Sequence, residues 1–328
     1  MAISATAVCA IKAQAAGGRT NSTKQKDGIF CPFARTQAHR FGILGAHRRS
    51  DYRVRFRLKP PHDVDRFTLV SANIKMATLL TLATASILLA SGVSAHGFVQ
   101  YITTAEGVQY RGYDPGFRFS NPAPSVPGWY ADNPDIGFVP PQSFQNPDII
   151  CHKSSRPGQD YVNVKAGSNI TLQWLTWPES HVGPIIDYIA PCPSTGCTNV
   201  NKEELKFVKV AQKALKPGVT SSTNWLQAWV VDDFIHNDFK WTFTVPRDLK
   251  SGQYVLRHEI LALHSAWDTN GAQAYPQCIN LNVTGGGQTE IKGGVEATKF
   301  YTAEDPGIHI NVYSGLTEYS VPGPALWR

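Results

Sequence analysis

Methionine is almost absent from this chain, occurring only as Met1 and Met76, and no charged residue occurs from 76 to 95. No internal repeat is visible, which excludes a repeat array, and no Cys-rich module is appended at either end. Acidic charge is scarce near the start, where residues 1–75 hold 14 Lys+Arg but 4 Asp+Glu. That leaves 17 basic against 21 acidic residues in 96–328, a net of −4 beside the +6 of the whole chain. A basic chain would suggest nucleic acid or an acidic membrane as partner, but the basic excess belongs to the leading segment, so neither is expected.

The uncharged run begins at Met76 and ends in Val93-Ser94-Ala95. Small residues at the third and first positions before a cut are what signal peptidase requires, so 76–95 reads as a signal peptide cleaved after Ala95. It lacks the usual basic residue after the Met; read from Met1, the 19 uncharged residues 77–95 are about long enough for a membrane anchor, and the cleaved signal peptide is the preferred reading. Residues 1–75 are a basic extension or the product of a wrongly chosen start. Their mixed polarity and lack of period predict no packed fold. The mature protein is then 96–328, secreted, extracellular and off the membrane.

Four of the six cysteines, Cys151, Cys192, Cys197 and Cys278, lie in this mature part, an even number that suits export. Three pairings are possible; the short Pro193–Gly196 turn makes Cys192–Cys197 easy and leaves Cys151–Cys278. Asn169-Ile-Thr171 and Asn282-Val-Thr284 are glycosylation triplets.

Apolar residues alternate at Ile170, Leu172 and Trp174, and at Trp241, Phe243 and Val245. Tyr254–Leu263 and Ala274–Val283 are longer strands rich in β-branched and aromatic residues, Lys202–Lys213 reads as a short helix running into a strand, and 103–150 reads as long loops. The class is all-β: one antiparallel, immunoglobulin-like β-sandwich with long loops and short helices.

Cleavage after Ala95 makes His96 the first residue. An N-terminal histidine offers its α-amine and its ring to one metal, and the amine, with an ordinary pKa of about 7.7–8.0, gives up its proton near neutral pH. A further histidine would complete a nitrogen-rich tetragonal set that favours copper(II).

The mature sequence resembles the fungal lytic polysaccharide monooxygenases of auxiliary activity family 9, formerly glycoside hydrolase family 61. The likeness runs through His96-Gly-Phe-Val-Gln100, Asp148-Ile-Ile-Cys151-His152, Trp177-Pro-Glu-Ser-His181-Val-Gly-Pro184, Tyr254 to Ala266, Gly271-Ala-Gln273-Ala-Tyr275-Pro-Gln-Cys278, Asp305-Pro-Gly307 and Pro322-Gly-Pro324. It implies one copper ion held by His96 and His181, with Tyr275 on the axis and His264 and Gln273 hydrogen-bonding an oxygen species, and it matches the two bridges above. It also implies hydroxylation at C1 or C4 of cellulose or a related β-glucan by a monomer that takes electrons from an external donor and uses hydrogen peroxide or oxygen. Tyr313 matches a substrate-stacking position, and Tyr110, Tyr113, Phe117 and Phe119 are further stacking candidates. Val182 departs from relatives that carry a second histidine there.

His152, His236 and His309 read as ordinary surface or core histidines. His258-Glu259 with His264 is not a metalloprotease motif, which needs histidines four apart on a helix, whereas these are six apart on a strand-like run. Two other classes stand beside the monooxygenase: a non-catalytic sandwich that binds polysaccharide or copper, and a glycoside hydrolase. The latter needs two flanking carboxylates, and Asp187, Asp232, Asp233 and Glu259 form no paired motif.

Overall fold

The computed structural model describes residues 96–328 except Thr223; the calls on 1–75 and on the 76–95 signal peptide lie outside the described residues. The strands are β1 (Val99–Thr104), β2 (Gln109–Arg111), β3 (Val162–Lys165), β4 (Asn169–Trp174), β5 (Ile185–Pro191), β6 (Val208–Lys213), β7 (Lys240–Thr244), β8 (Gly252–Ala262) and β9 (Gln273–Thr284). Two short helices accompany them, α1 (Asp148–Cys151) and α2 (Val230–His236).

One sheet has the order β2-β1-β4-β7 and the other β3-β9-β8-β5-β6. Every pair is antiparallel except the edge pair β3–β9, which runs parallel because the chain crosses from β3 in one sheet to β4 in the other. In β4 the alternation predicted from sequence is physical: Ile170, Leu172 and Trp174 are fully buried while their neighbours reach outward. Lys202–Glu204 is a 3₁₀ turn that leads into β6, as the composite pattern of 202–213 suggests.

β8 is buried almost end to end. Tyr254, Leu256, Ile260 and Ala262 point between the sheets, while Val255 and Leu261 point into a second cluster under the long loops and the C-terminal segment. A strand covered on both faces loses the polar alternation of a half-exposed one. β5, with its run of buried residues, is central for the same reason, and it carried no alternating signal in the sequence.

The disulfides Cys151–Cys278 and Cys192–Cys197 are both formed, each with Cα atoms 5.2 Å apart. The first ties α1 to β9. Among the described residues no helix is long and apolar enough to cross a membrane.

Candidate functional site

Four chain segments meet at one end of the sandwich: the residues before β1, those before β5, those after β8, and the start of β9. Their approach is set by backbone contacts that leave no room for a side chain. A Cβ on Gly97 would lie 2.0 Å from the Thr176 carbonyl oxygen, and one on Gly183 would lie 1.8 Å from that of Leu261. Leu263 N–H donates to Val182 O at 2.7 Å, which fixes the loop before β5 against the end of β8.

These contacts bring together the rings of His96 and His181, with Nε2 atoms 3.1 Å apart. Ser180 Oγ lies 3.1 Å from His181 Nδ1, and Trp177 Nε1–H donates to His181 O at 3.0 Å, so the loop itself orients the ring. His264 stacks on His181, centroids 3.9 Å apart, and its buried Nδ1 has no hydrogen-bond partner among the described residues. Tyr275 lies wholly buried beneath, 5.4 Å from the His96 ring and 4.8 Å from Trp177. Its hydroxyl donates to Gln273 Oε1 at 2.7 Å, which turns the NH₂ end of that amide the other way.

The electrostatics favour neutral imidazoles. Burial, then the His264 and His96 rings, hold His181 down to about pKa 3. Burial also lowers His96, against a pull upward from Asp135, and lowers His264, with His96 adding to the effect. Tyr275 is pushed well above the usual phenol range by burial and by the Asp135 charge. Neutral imidazole is the form in which histidine binds a metal. Among the described residues no three His, Cys, Asp or Glu side chains gather as a metal site.

Tyr313, 39% exposed, donates its hydroxyl to His264 O at 3.0 Å and so stands beside these residues. Two aromatics not singled out in the sequence surround it: Trp225 at 4.8 Å and Trp267 at 5.2 Å, the latter 45% exposed. Their sequence signal was slight, since a tryptophan in a loop reads as core until its exposure is known. Of the four loop candidates, Phe117 is a buried core residue because Arg111 and Tyr113 close over it. Tyr110 and Tyr113 are half-buried, and Phe119 is 81% exposed.

The four carboxylates weighed for hydrolysis are held elsewhere. Asp187 accepts from Trp241 and His258, and Glu259 accepts from Arg257 and Tyr301, all within the interior. Asp232 and Asp233 pair with Lys216. A cleft of about 580 Å³ between Leu215, Val230 and Tyr319 includes none of the residues of the site. Of the glycosylation triplets, Asn169 is exposed and accepts from Thr244, while Asn282 Nδ2 donates to Asn163 Oδ1 at 2.8 Å.

A two-sheet β-sandwich carrying two facing histidines on an open end, with a tyrosine–glutamine pair below, defines the class of protein. The sequence profile of Auxiliary Activity family 9 (formerly GH61) matches residues 96–320, and the chain belongs to this family. It is 50% identical over 247 residues to AA9 family lytic polysaccharide monooxygenase F of Malbranchea cinnamomea, covering 75% of this chain and 97% of that protein. It is 46% identical to monooxygenase D of Podospora anserina over 72% of this chain and 67% of that one. Among solved structures it is similar to Cel61B of Hypocrea jecorina, a glycoside hydrolase family 61 member, at 40% identity and a TM-score of 0.65, over 71% of this chain and all of that one. The extended catalytic domain of H. jecorina LPMO9A matches at 42% identity and the same TM-score, over 70% and 90% of the two chains. The protein is a monooxygenase of the lytic polysaccharide class, and the hydrolase reading is set aside.

Proposed function

We propose that residues 96–328, freed by cleavage after Ala95 and secreted as a monomer, use one copper ion to cleave cellulose or a related β-glucan oxidatively at C1 or C4. The observation that carries this reading is the 3.1 Å approach of the His96 and His181 nitrogens at one end of the fold. Two neutral imidazoles and an α-amine form a nitrogen-rich donor set suited to copper(II). In the uncleaved chain the backbone nitrogen of His96 is an amide, which keeps its proton far more tightly than an amine and is a poor ligand. A bound copper would be held by the α-amine and ring of His96 and by the ring of His181.

Copper held there supplies the one-electron redox chemistry that lets hydrogen peroxide or oxygen, with an external reductant, take hydrogen from a sugar carbon. The protein's own part is positional. His181 is fixed through Ser180 and Trp177, and the buried Tyr275 hydroxyl, which would be a further ligand of a bound copper, locks the Gln273 amide. With its oxygen engaged by Tyr275, Gln273 presents its NH₂ as a donor, and His264, stacked on His181, presents a ring nitrogen beside it. Trp177 and Phe138, packed on Tyr275, keep water from the lower side. Tyr313 and its aromatic neighbours offer rings on which sugars stack.

The test is to prepare the mature chain and a form with one extra residue before His96, and to measure copper stoichiometry and oxidised oligosaccharides from cellulose. The mature chain should bind one copper and release oxidised products, and the extended form should do neither well. Equal performance by the two would overturn the reading.

A further inference from the structure

The turn that follows His264 is held in place from outside by a histidine with two acceptors. Trp267 lies on this turn, where Ala266 N–H donates to Leu263 O and Asp268 N–H to Ser265 O. The C-terminal segment runs alongside, with Ile310 N–H donating to Ala266 O at 2.9 Å. Next to that bond, His309 Nε2 lies 3.2 Å from Trp267 O, and its Nδ1 lies 3.3 Å from Glu304 Oε2. Carbonyl and carboxylate oxygens only accept. A neutral imidazole has one N–H and serves one of them, whereas an imidazolium donates to both.

We propose that Trp267 is a sugar-stacking residue that extends the surface begun by Tyr313, and that His309, with both ring nitrogens donating, is the positioning residue that fixes it. The inference deepens the proposed function and rests on it. Trp267 and Tyr313 are both well exposed, their rings are 5.2 Å and 62° apart, and Tyr313 is bonded to His264 O, so the pair continues outward from the site. An indole offers a broad, rigid apolar face with few torsions to immobilise, which suits it to a carbohydrate ring.

The groups facing His309 are the Trp267 carbonyl, from the turn, and the Glu304 carboxylate, from its own segment. The carbonyl first and the carboxylate second hold its proton above the ordinary histidine range. Below that raised value both bonds stand; as pH rises through it the imidazolium is lost and only one bond can remain. Polysaccharide affinity should therefore weaken at alkaline pH.

The experiment is equilibrium binding of the copper-loaded mature protein to microcrystalline cellulose without reductant, at about pH 5 and about pH 9. Trp267→Ala should bind roughly 3–10-fold more weakly at pH 5 and show little further loss at pH 9. His309→Gln, with one donor end, should bind alike at both values, near the wild-type level at pH 9. Wild-type affinity for Trp267→Ala, or a wild-type pH response in His309→Gln, overturns the inference. Tyr313→Ala separates the two levels: if it weakens binding and Trp267→Ala does not, this inference alone fails. If neither variant weakens binding, the assignment of this face to polysaccharide fails with it. Thermal melting of each variant, expected within a few degrees of wild type, shows that the fold persists.

Discussion

His258 within the sandwich and the three histidines gathered at its end differ in what their nitrogens meet. His258, buried in the middle of β8, has both nitrogens engaged: Trp174 Nε1–H donates to its Nε2 at 3.0 Å, and its Nδ1–H donates to Asp187 at 2.7 Å. Trp241 completes the network by donating to the other Asp187 oxygen. On the far face of the same strand, Arg257 pairs with Glu259 and also donates to the carbonyls of Ile149 and Ile150, and Tyr301 links Glu259 to Tyr188. Each of these bonds joins a donor to an acceptor. At the end of the sandwich the partners differ: the Nε2 atoms of His96 and His181 meet at 3.1 Å, one ring donating to the other, and His264 is stacked on His181 with a buried Nδ1 that meets no partner among the described residues. A network closed by carboxylates and carbonyls holds a fold together, whereas neutral imidazoles that meet each other can exchange that contact for a cation.

The sharpest way to break this comparison is at the two facing rings. His96→Ala and His181→Ala should each weaken copper binding by more than the roughly 10–100-fold seen when a ligand's partner is removed, and abolish oxidised products. Copper titration and product analysis check this, while urea unfolding of the copper-free variants should stay near wild type. A variant that binds copper normally would show that the facing nitrogens are not the ligands.

The complementary change is in the satisfied network. Glu259→Ala leaves Arg257 buried without its carboxylate, for a cost of about 3–5 kcal/mol. Urea denaturation should show that loss, and the copper spectrum of the protein that remains folded should be unchanged. An altered spectrum with unaltered stability would erase the distinction.

His152 tests the comparison through pH. It is buried, its Nδ1 accepts from Lys153 N, and its Nε2 lies 3.0 Å from Gly137 O. Burial first, and the Lys153 charge second, hold its pKa down to about 4. The unfolded chain, titrating near 6.5, takes up the proton first, so this contribution to stability is whole above about 6.5 and is lost as pH falls to about 4. The loss is on the order of 3 kcal/mol in the copper-free protein. Denaturation at pH 7 and pH 4 should show it in the wild type and less of it in His152→Gln, and adding copper should leave this portion untouched.

The smallest effect is expected at Gln273. Gln273→Ala should keep copper and lower turnover by about 10–100-fold, since the amide bonds the Tyr275 hydroxyl but supplies none of the proposed copper-binding nitrogens. Loss of copper in this variant would make Gln273 part of the metal site itself.

Legibility in the sequence followed burial. β4 and β7 could be read because one side of each meets the core and the other meets water, which imprints alternation on the residues. β5 could not, since both of its faces are covered, and α2 is too short for a helical period to emerge. His96, His181, His264, Gln273 and Tyr275 were legible as a set only through the order and spacing of their motifs. Taken singly they are common residue types. Trp267 and His309 were missed because exposure and a hydrogen bond 42 residues apart leave no local trace.

The sequence by itself determined the strands with a clear alternation, the even cysteine count, the charge division between the leading segment and the rest, and the position of His96 directly after a signal-peptidase pattern. These follow from local chemistry: alternation, turn residues and small residues before a cut. Only the tertiary structure decided that His96 and His181, 85 positions apart, meet at 3.1 Å, that Asp187 and Glu259 are bound within the interior, and that Trp267 is an exposed ring beside Tyr313. The reason is physical. The identity of a side chain sets what it can donate or accept, but which partner it finds depends on sheet register and loop closure, and these are settled by the burial of the whole core.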